Sequence, residues 1–233
     1  MNKNLELENF LSISPNKFGI YLLDKHNLKN IYKDEIAINQ SKKFLNLDDL
    51  KKFLDENIFK IEKLSGKFVE NVFVVFENEN ILDIDIGIKK KNSNLSVTKK
   101  YLENILIDAK DLFRQNYQDK QIMHMIIKKF FFNGKSHQLF KENCKCDHFG
   151  LEIQFKFISK SVIYELNEIL ENYQIKITRC LDGNYLKNIF DDEMELSEMA
   201  HKILDGYNEN EVIFVPKNTR KLAFFEKFFQ LFS

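Results

Sequence analysis

The spacing of apolar and polar residues changes several times along the chain, and each change marks an element. Residues 10–13, 17–24 and 28–38 are three short runs of strand-forming residues separated by turns at Pro15-Asn16 and Lys25-His26-Asn27, which predicts an opening three-strand meander. The period then lengthens: Leu50, Phe53, Leu54, Ile58, Ile61 and Leu64 recur at helical spacing, with Asp48 or Asp49 as cap and Ser65-Gly66 as the stop. Residues 69–76, with NVFVVF inside them, form a continuous apolar run of the kind found in a strand covered on both faces. Residues 81–88, ILDIDIGI, alternate strictly and predict a half-exposed strand with Asp83 and Asp85 on its solvent face. A basic loop at 89–94 leads to an amphipathic helix at 97–117 that turns Tyr101, Leu102, Ile105, Leu106, Ala109, Leu112 and Phe113 inward, with Thr98 as cap. Two further strands follow at 121–132 and 151–158, the first ending at the turn Asn133-Gly134, so that 81–158 reads as strand, helix, strand, strand. A helix at 162–170 and a strand at 174–181 come next. Beyond Gly183 the pattern weakens to short helical stretches at 185–190 and 198–204, an acidic run DDEMEL between them, and a strand-like EVIFV before Pro216.

The last stretch, residues 217–233 (KNTRKLAFFEKFFQLFS), is again strongly patterned. At about 100° per residue, Leu222, Phe224, Phe225, Phe228, Phe229, Leu231 and Phe232 share one half of a helical wheel. Arg220 and Lys227 lie on its polar half and, together with Lys221, leave the segment net positive. Two readings fit the pattern: an in-plane membrane anchor that meets anionic head groups, and a terminal helix docked on the protein's own core.

Composition narrows the classes. The 233 residues suffice for one large domain or two small ones, and 35 basic against 35 acidic residues give no field of one sign, so extended nucleic-acid binding gains no support. No apolar run approaches the roughly 20 residues of a membrane-spanning helix, and MNKNLELENF has no hydrophobic leader core. Three cysteines, an odd number, fit a reducing cytoplasm.

Candidate chemistry is sparse. His137, Cys144, Cys146 and His148 crowd one loop, but Cys-x-Cys is a poor zinc chelate, and no metal is expected there. His124, inside MHMII, reads as a structural histidine, and Lys128-Lys129 before three phenylalanines reads as a strand with a buried face rather than a stacking surface. The chain carries no Gly-rich phosphate loop, nucleophile elbow, zinc helix or dinucleotide fingerprint.

The order of these elements, together with QIMHMI, Asn133-Gly134, HFGLEIQFKFI and the amphipathic tail, resembles a shortened, divergent FtsA, the actin-like bacterial cell-division protein. The resemblance implies an α/β (α+β) partial actin-like fold. Residues 1–79 with 160–190 would form a first actin-like subdomain, 80–159 an inserted strand-helix-strand-strand subdomain, 191–216 a linker with a short helix, and 217–233 a membrane-targeting amphipathic helix; the second lobe is missing. Against the family's first phosphate loop the string LSISPNKF keeps only Lys17, with Ser12 for the aspartate, Ser14 for the glycine and Pro15 next. Ser12 cannot organise Mg²⁺, and a Cβ at Ser14 with a ring at Pro15 spoils a backbone cradle for phosphate, so no nucleotide, cofactor or catalysis is expected. The family's FtsZ contact lies in the missing lobe, which leaves FtsZ tethering without its usual surface. The implied role is a non-catalytic division adaptor on the cytoplasmic side of the inner membrane at the division site. Its partners would be anionic lipids through the tail, and other division proteins and itself through the inserted subdomain. An actin-like scaffold of another membrane machine, such as type IV pilus assembly, is the alternative.

Overall fold

The computed structural model describes residues 6–38, 46–78, 81–191 and 193–213. They divide into two units: the chain up to Ile81 with Ile158–Asp205, and Leu82–Phe157 with the chain from Gly206 on. Both are mixed α/β, each built on one sheet.

The first unit opens with the expected meander, β1 (Leu7–Ile13), β2 (Lys17–Asp24) and β3 (Lys29–Ala37), paired antiparallel in sequence. Helix α1 (Leu47–Ser65) then crosses to β4 (Asn71–Phe76), which lies parallel to β1; β9 (Lys176–Asp182) adds parallel to β4, giving the order β3-β2-β1-β4-β9. Asn46 caps α1 by accepting from the Asp49 amide at 3.3 Å, rather than Asp48 or Asp49 capping it, because the first apolar contact, Leu50, closes its backbone bond onto Asn46. Gly66 ends α1 in the left-handed conformation at φ 68°, its N–H donating to Glu62 O at 2.8 Å. Helices cover both faces of the sheet. Phe18 meets Phe53 of α1 at 6.2 Å between ring centres, and Tyr173, just past α3 (Lys160–Glu171), donates to Asp55 of α1 at 2.6 Å. On the opposite face α5 (Leu196–Leu204) brings His201 Nδ1 to 2.7 Å from Glu8 and Ser197 Oγ to 2.8 Å from Asn30. The stretch read as a linker is therefore packed structure, with Met199, Ala200 and Ile203 all buried; at nine residues α5 is too short to display its period clearly.

The second unit runs β5 (Leu82–Val97), α2 (Lys99–Asn116), β6 (Lys120–Phe132), β7 (Lys135–His137) and β8 (Cys144–Ser159), in the sheet order β5-β8-β6-β7. Thr98 caps α2 as expected, accepting from the Tyr101 amide at 3.2 Å. The basic stretch 89–94 is strand, not loop: β5 stays paired with β8 through Lys91, then bulges. Asn92 turns inward there and donates to Leu95 O at 2.5 Å and Cys146 O at 3.1 Å, which satisfies the interrupted ladder. Asn133 and Gly134 both take positive φ, 49° and 81°, and turn β6 into β7. One face of this sheet buries Phe113, Phe130, Phe149, Phe155 and Phe157 with α2. Among the described residues of this unit no helix packs on the other face, where Asp83, Asp85, Gly87 and Lys89 of β5 alternate outward. After α5 the chain returns to this sheet: Val212 N donates to Met125 O, and Ile127 N to Asn210 O, each at 2.8 Å.

Candidate functional site

In a parallel α/β sheet, ligands bind beyond the carboxyl ends of the strands, where backbone amides and helix starts converge. In the first unit those ends are Ile13 of β1, Phe76 of β4 and Asp182 of β9; Ser12 lies near the end of β1, Ser14 and Pro15 in the turn after it, and Lys17 at the start of β2.

That turn is bonded to itself. The Ser14 amide donates to Lys17 O at 2.9 Å, and the Ser14 hydroxyl lies 3.0 Å from both Lys17 O and Asn16 Oδ1. Lys17 pairs with Glu35 of β3 at 3.3 Å. Glu35 also accepts from the Tyr21 hydroxyl at 2.5 Å, and Lys33 stands 3.8 Å from it. Ser12, buried, points its hydroxyl at the Tyr21 oxygen, 3.5 Å away. Gly19 makes this crossing feasible: a Cβ there would stand 2.5 Å from Ser12 Oγ and 2.6 Å from the Tyr21 oxygen. Burial first, then the hydrogen bond to Glu35, raise the Tyr21 phenol well above its ordinary value. For Glu35 partial burial pushes upward, but the Tyr21 bond and the Lys17 and Lys33 ammonium groups outweigh it and hold the carboxyl below its usual range. At the ends of β4 and β9 the groups are likewise engaged. Glu77 pairs with Lys187, and Asp182 caps α4 (Gly183–Ile189) through the Asn184 amide at 2.9 Å. Ser12 and Lys17 are thus brought together, around Tyr21 and Glu35. Neither of those two stands out in the sequence, because their meeting depends on a three-strand register.

The membrane-binding set, Arg220, Lys221, Leu222, Phe224, Phe225, Lys227, Phe228, Phe229, Leu231 and Phe232, lies outside the described residues. Among those described, no helix is long and apolar enough to cross a membrane.

In the second unit the cysteine and histidine cluster is dispersed. Cys146 enters the core, its thiol pushed up by burial, whereas His148 lines the open face, and no group of three or more His, Cys, Asp or Glu converges among the described residues. His124 is fully buried, its Nδ1 2.8 Å from the carboxylate of buried Glu211, where the returning chain meets β6. The open face holds a groove of about 310 Å³ bounded by Gly87, Lys89, Phe131, His148, Gly150 and Glu152, with Lys129 paired to Glu152 at 3.1 Å. Its open, partly apolar floor and charged rim suit a protein surface better than a buried substrate.

No protein-family model matches the sequence, and no curated protein matches it. Solved structures do. A PilM-PilN type IV pilus biogenesis complex is similar at 8% identity and a TM-score of 0.49, over 78% of this chain and 49% of that one. A Bacteroides thetaiotaomicron protein with an actin-like ATPase fold and unknown function is similar at 16% identity and a TM-score of 0.38, over 80% of this chain and 56% of that one. The cytoplasmic domain of EpsL, an inner membrane component of the type II secretion system of Vibrio cholerae, is similar at 10% identity and a TM-score of 0.36, over 78% and 57%. This chain spans about half the length of the chains it is similar to.

Proposed function

We propose that this chain is a non-catalytic adaptor of a membrane-bound assembly. Its C-terminal segment holds it to the cytoplasmic face of the membrane, and its second unit meets protein partners, including further copies of itself. The observation that carries the non-catalytic half is the turn after β1. The charge that would hold a phosphate, Lys17, is neutralised by Glu35, and the Ser14 amide that would cradle one is spent on Lys17 O. A phosphate entering there would have to displace an ion pair and face Glu35, with Ser12 in place of a Mg²⁺-organising carboxylate. Titration with Mg-ATP is expected to give no saturable binding; binding at micromolar nucleotide overturns this half.

The membrane half rests on the wheel of residues 217–233. Partial burial of its apolar side chains contributes roughly 1 kcal/mol each, and each basic residue near an anionic surface about 1 kcal/mol, offset by the ordering of the segment. The test is co-sedimentation with anionic vesicles of the full chain and of a version ending at Val215, at low and at physiological salt. Binding that disappears with the segment and weakens with salt is expected. Equal sedimentation of both proteins refutes the anchor.

The finer assignment is cell division, supported by the element order shared with FtsA-like proteins. Depletion is expected to give filamentous cells; cells of normal length that lack pili or secretion would transfer the adaptor to another membrane machine.

A further inference from the structure

We infer that the outer edge of β5 is a self-complementary dimer interface, on which a second copy of this chain adds its own β5 antiparallel, centred on Gly87. The inference deepens the proposed self-association and rests on that part of it. β5 is the terminal strand of its sheet, and among the described residues nothing pairs with its outer edge. From Leu82 to Lys91 it keeps an unbroken register with β8, so its outward backbone groups form a regular ladder ready for another strand.

Charge chooses the occupant. Along the open face the strand reads Asp83, Asp85, Gly87, Lys89, Lys91, acidic on one side of the glycine and basic on the other. A two-fold axis through paired Gly87 residues sets Asp83 opposite the second copy's Lys91 and Asp85 opposite its Lys89, and the symmetry repeats both pairs. All four opposed charge pairs are then attractive. A slip of two residues either way halves their number, and a slip of four sets Asp85 against Asp85 or Lys89 against Lys89. Gly87 at the centre puts no side chain between the two strands, and the space above it is empty to 4 Å. On the other face the same register sets Ile86 against the second copy's Ile88, and both already pack on the buried core of the unit. Asp85, Lys89 and Lys91 have no ion-pair partner among the described residues, whereas Lys90, on the helix side, is already bound to Asp108 at 3.1 Å. The edge-protecting role often served by lysines would need one sign of charge; here each half of the strand attracts the other half of a copy.

The test is analytical ultracentrifugation of the full chain without lipid, with Asp83→Lys/Asp85→Lys as one variant and Lys89→Asp/Lys91→Asp as the other. Wild type is expected to dimerise. Each variant alone, with four repulsive pairs, is expected to associate at least about tenfold more weakly. An equimolar mixture of the two restores four attractive pairs and is expected to dimerise again, which a misfolded variant cannot do. Because Asp83 also touches Gln154 and Lys156 of its own sheet, the single changes Asp85→Lys and Lys89→Asp repeat the test at positions without such contacts. Wild type that dimerises equally with both reversals refutes the β5 register and leaves self-association elsewhere intact. Wild type that stays monomeric refutes both, while vesicle binding tests the anchor separately.

Discussion

The two units meet solvent in opposite ways. The first has a five-stranded sheet whose central strands are covered on both faces, and the polar groups near the carboxyl ends of its parallel strands are bonded to one another: Ser14 to its own turn, Lys17 and Tyr21 to Glu35, Glu77 to Lys187. In the second, α2 covers one face, while on the other β5 exposes Asp83, Asp85 and Lys89 beside a groove, and among the described residues nothing pairs with its outer edge. The polar groups at the first unit's strand ends are used internally; along β5 of the second, Asp85, Lys89 and Lys91 have no ion-pair partner among the described residues. The Lys17–Glu35–Tyr21–Ser12 set satisfies the polar groups of the first unit's strand ends from within that unit.

The largest expected effects lie in the second core, where little redundancy exists. Phe113 stacks on Phe155 at 4.8 Å and Tyr117 at 4.9 Å and tilts against Phe157 at 5.1 Å. Phe113→Ala is expected to cost about 3–5 kcal/mol in urea unfolding, with hydrogen exchange rising across β5, β6 and β8. Glu211→Ala leaves buried His124 without its carboxylate and is expected to cost about 3 kcal/mol. Because Glu211 lies where the returning chain pairs with β6, it should also raise exchange at residues 206–212. Unchanged exchange there would mean that the backbone bonds to Met125 and Ile127 hold the segment without the buried pair.

Tyr21→Phe probes the first unit and is expected to cost about 1 kcal/mol at neutral pH, since one hydrogen bond to a carboxylate is lost while Glu35 keeps Lys17 and Lys33. Its pH dependence is more telling. Folding holds the Tyr21 phenol protonated past the point where an unfolded one ionises, so its contribution is full below about pH 10 and falls as pH rises above that. Glu35 behaves oppositely: its carboxyl is held ionised, so its contribution is present above the ordinary carboxylate range and fades as pH falls through the lowered value. The alkaline loss of stability should shrink in Tyr21→Phe without vanishing, because Tyr173, also raised by burial and by its bond to Asp55, titrates in the same direction.

Long, regular patterns were readable and registers were not. α2 and the alternation of 81–88 follow from period, and β2 from a run of strand-forming residues between two turn signals. The continuation of β5 through 89–94 was hidden because three successive lysines look like a loop, yet an edge strand with one open face can carry them. The cap of α1 was placed at Asp48 or Asp49 because both are capable residues, and that Asn46 acts instead depends on where Leu50 begins to pack. The Ser12–Tyr21–Glu35 set was invisible for a deeper reason: it joins three strands, and Gly19, which makes room for it, looks in sequence like any strand glycine.

The smallest effects test whether the two units are thermodynamically distinct. Asn46 caps α1 in the first and Thr98 caps α2 in the second, each through one side-chain bond to a backbone amide. Asn46→Ala and Thr98→Ala are each expected to cost about 1 kcal/mol. If the units open separately, hydrogen exchange should rise only in α1 and its sheet for the first variant, and only in α2 and its sheet for the second. Equal loss of protection in both units from either change would mean one cooperative transition. The contrast between a closed unit and an open one would then describe their surfaces alone, and loss of the second unit's fold could not be separated from loss of its partners in any binding experiment.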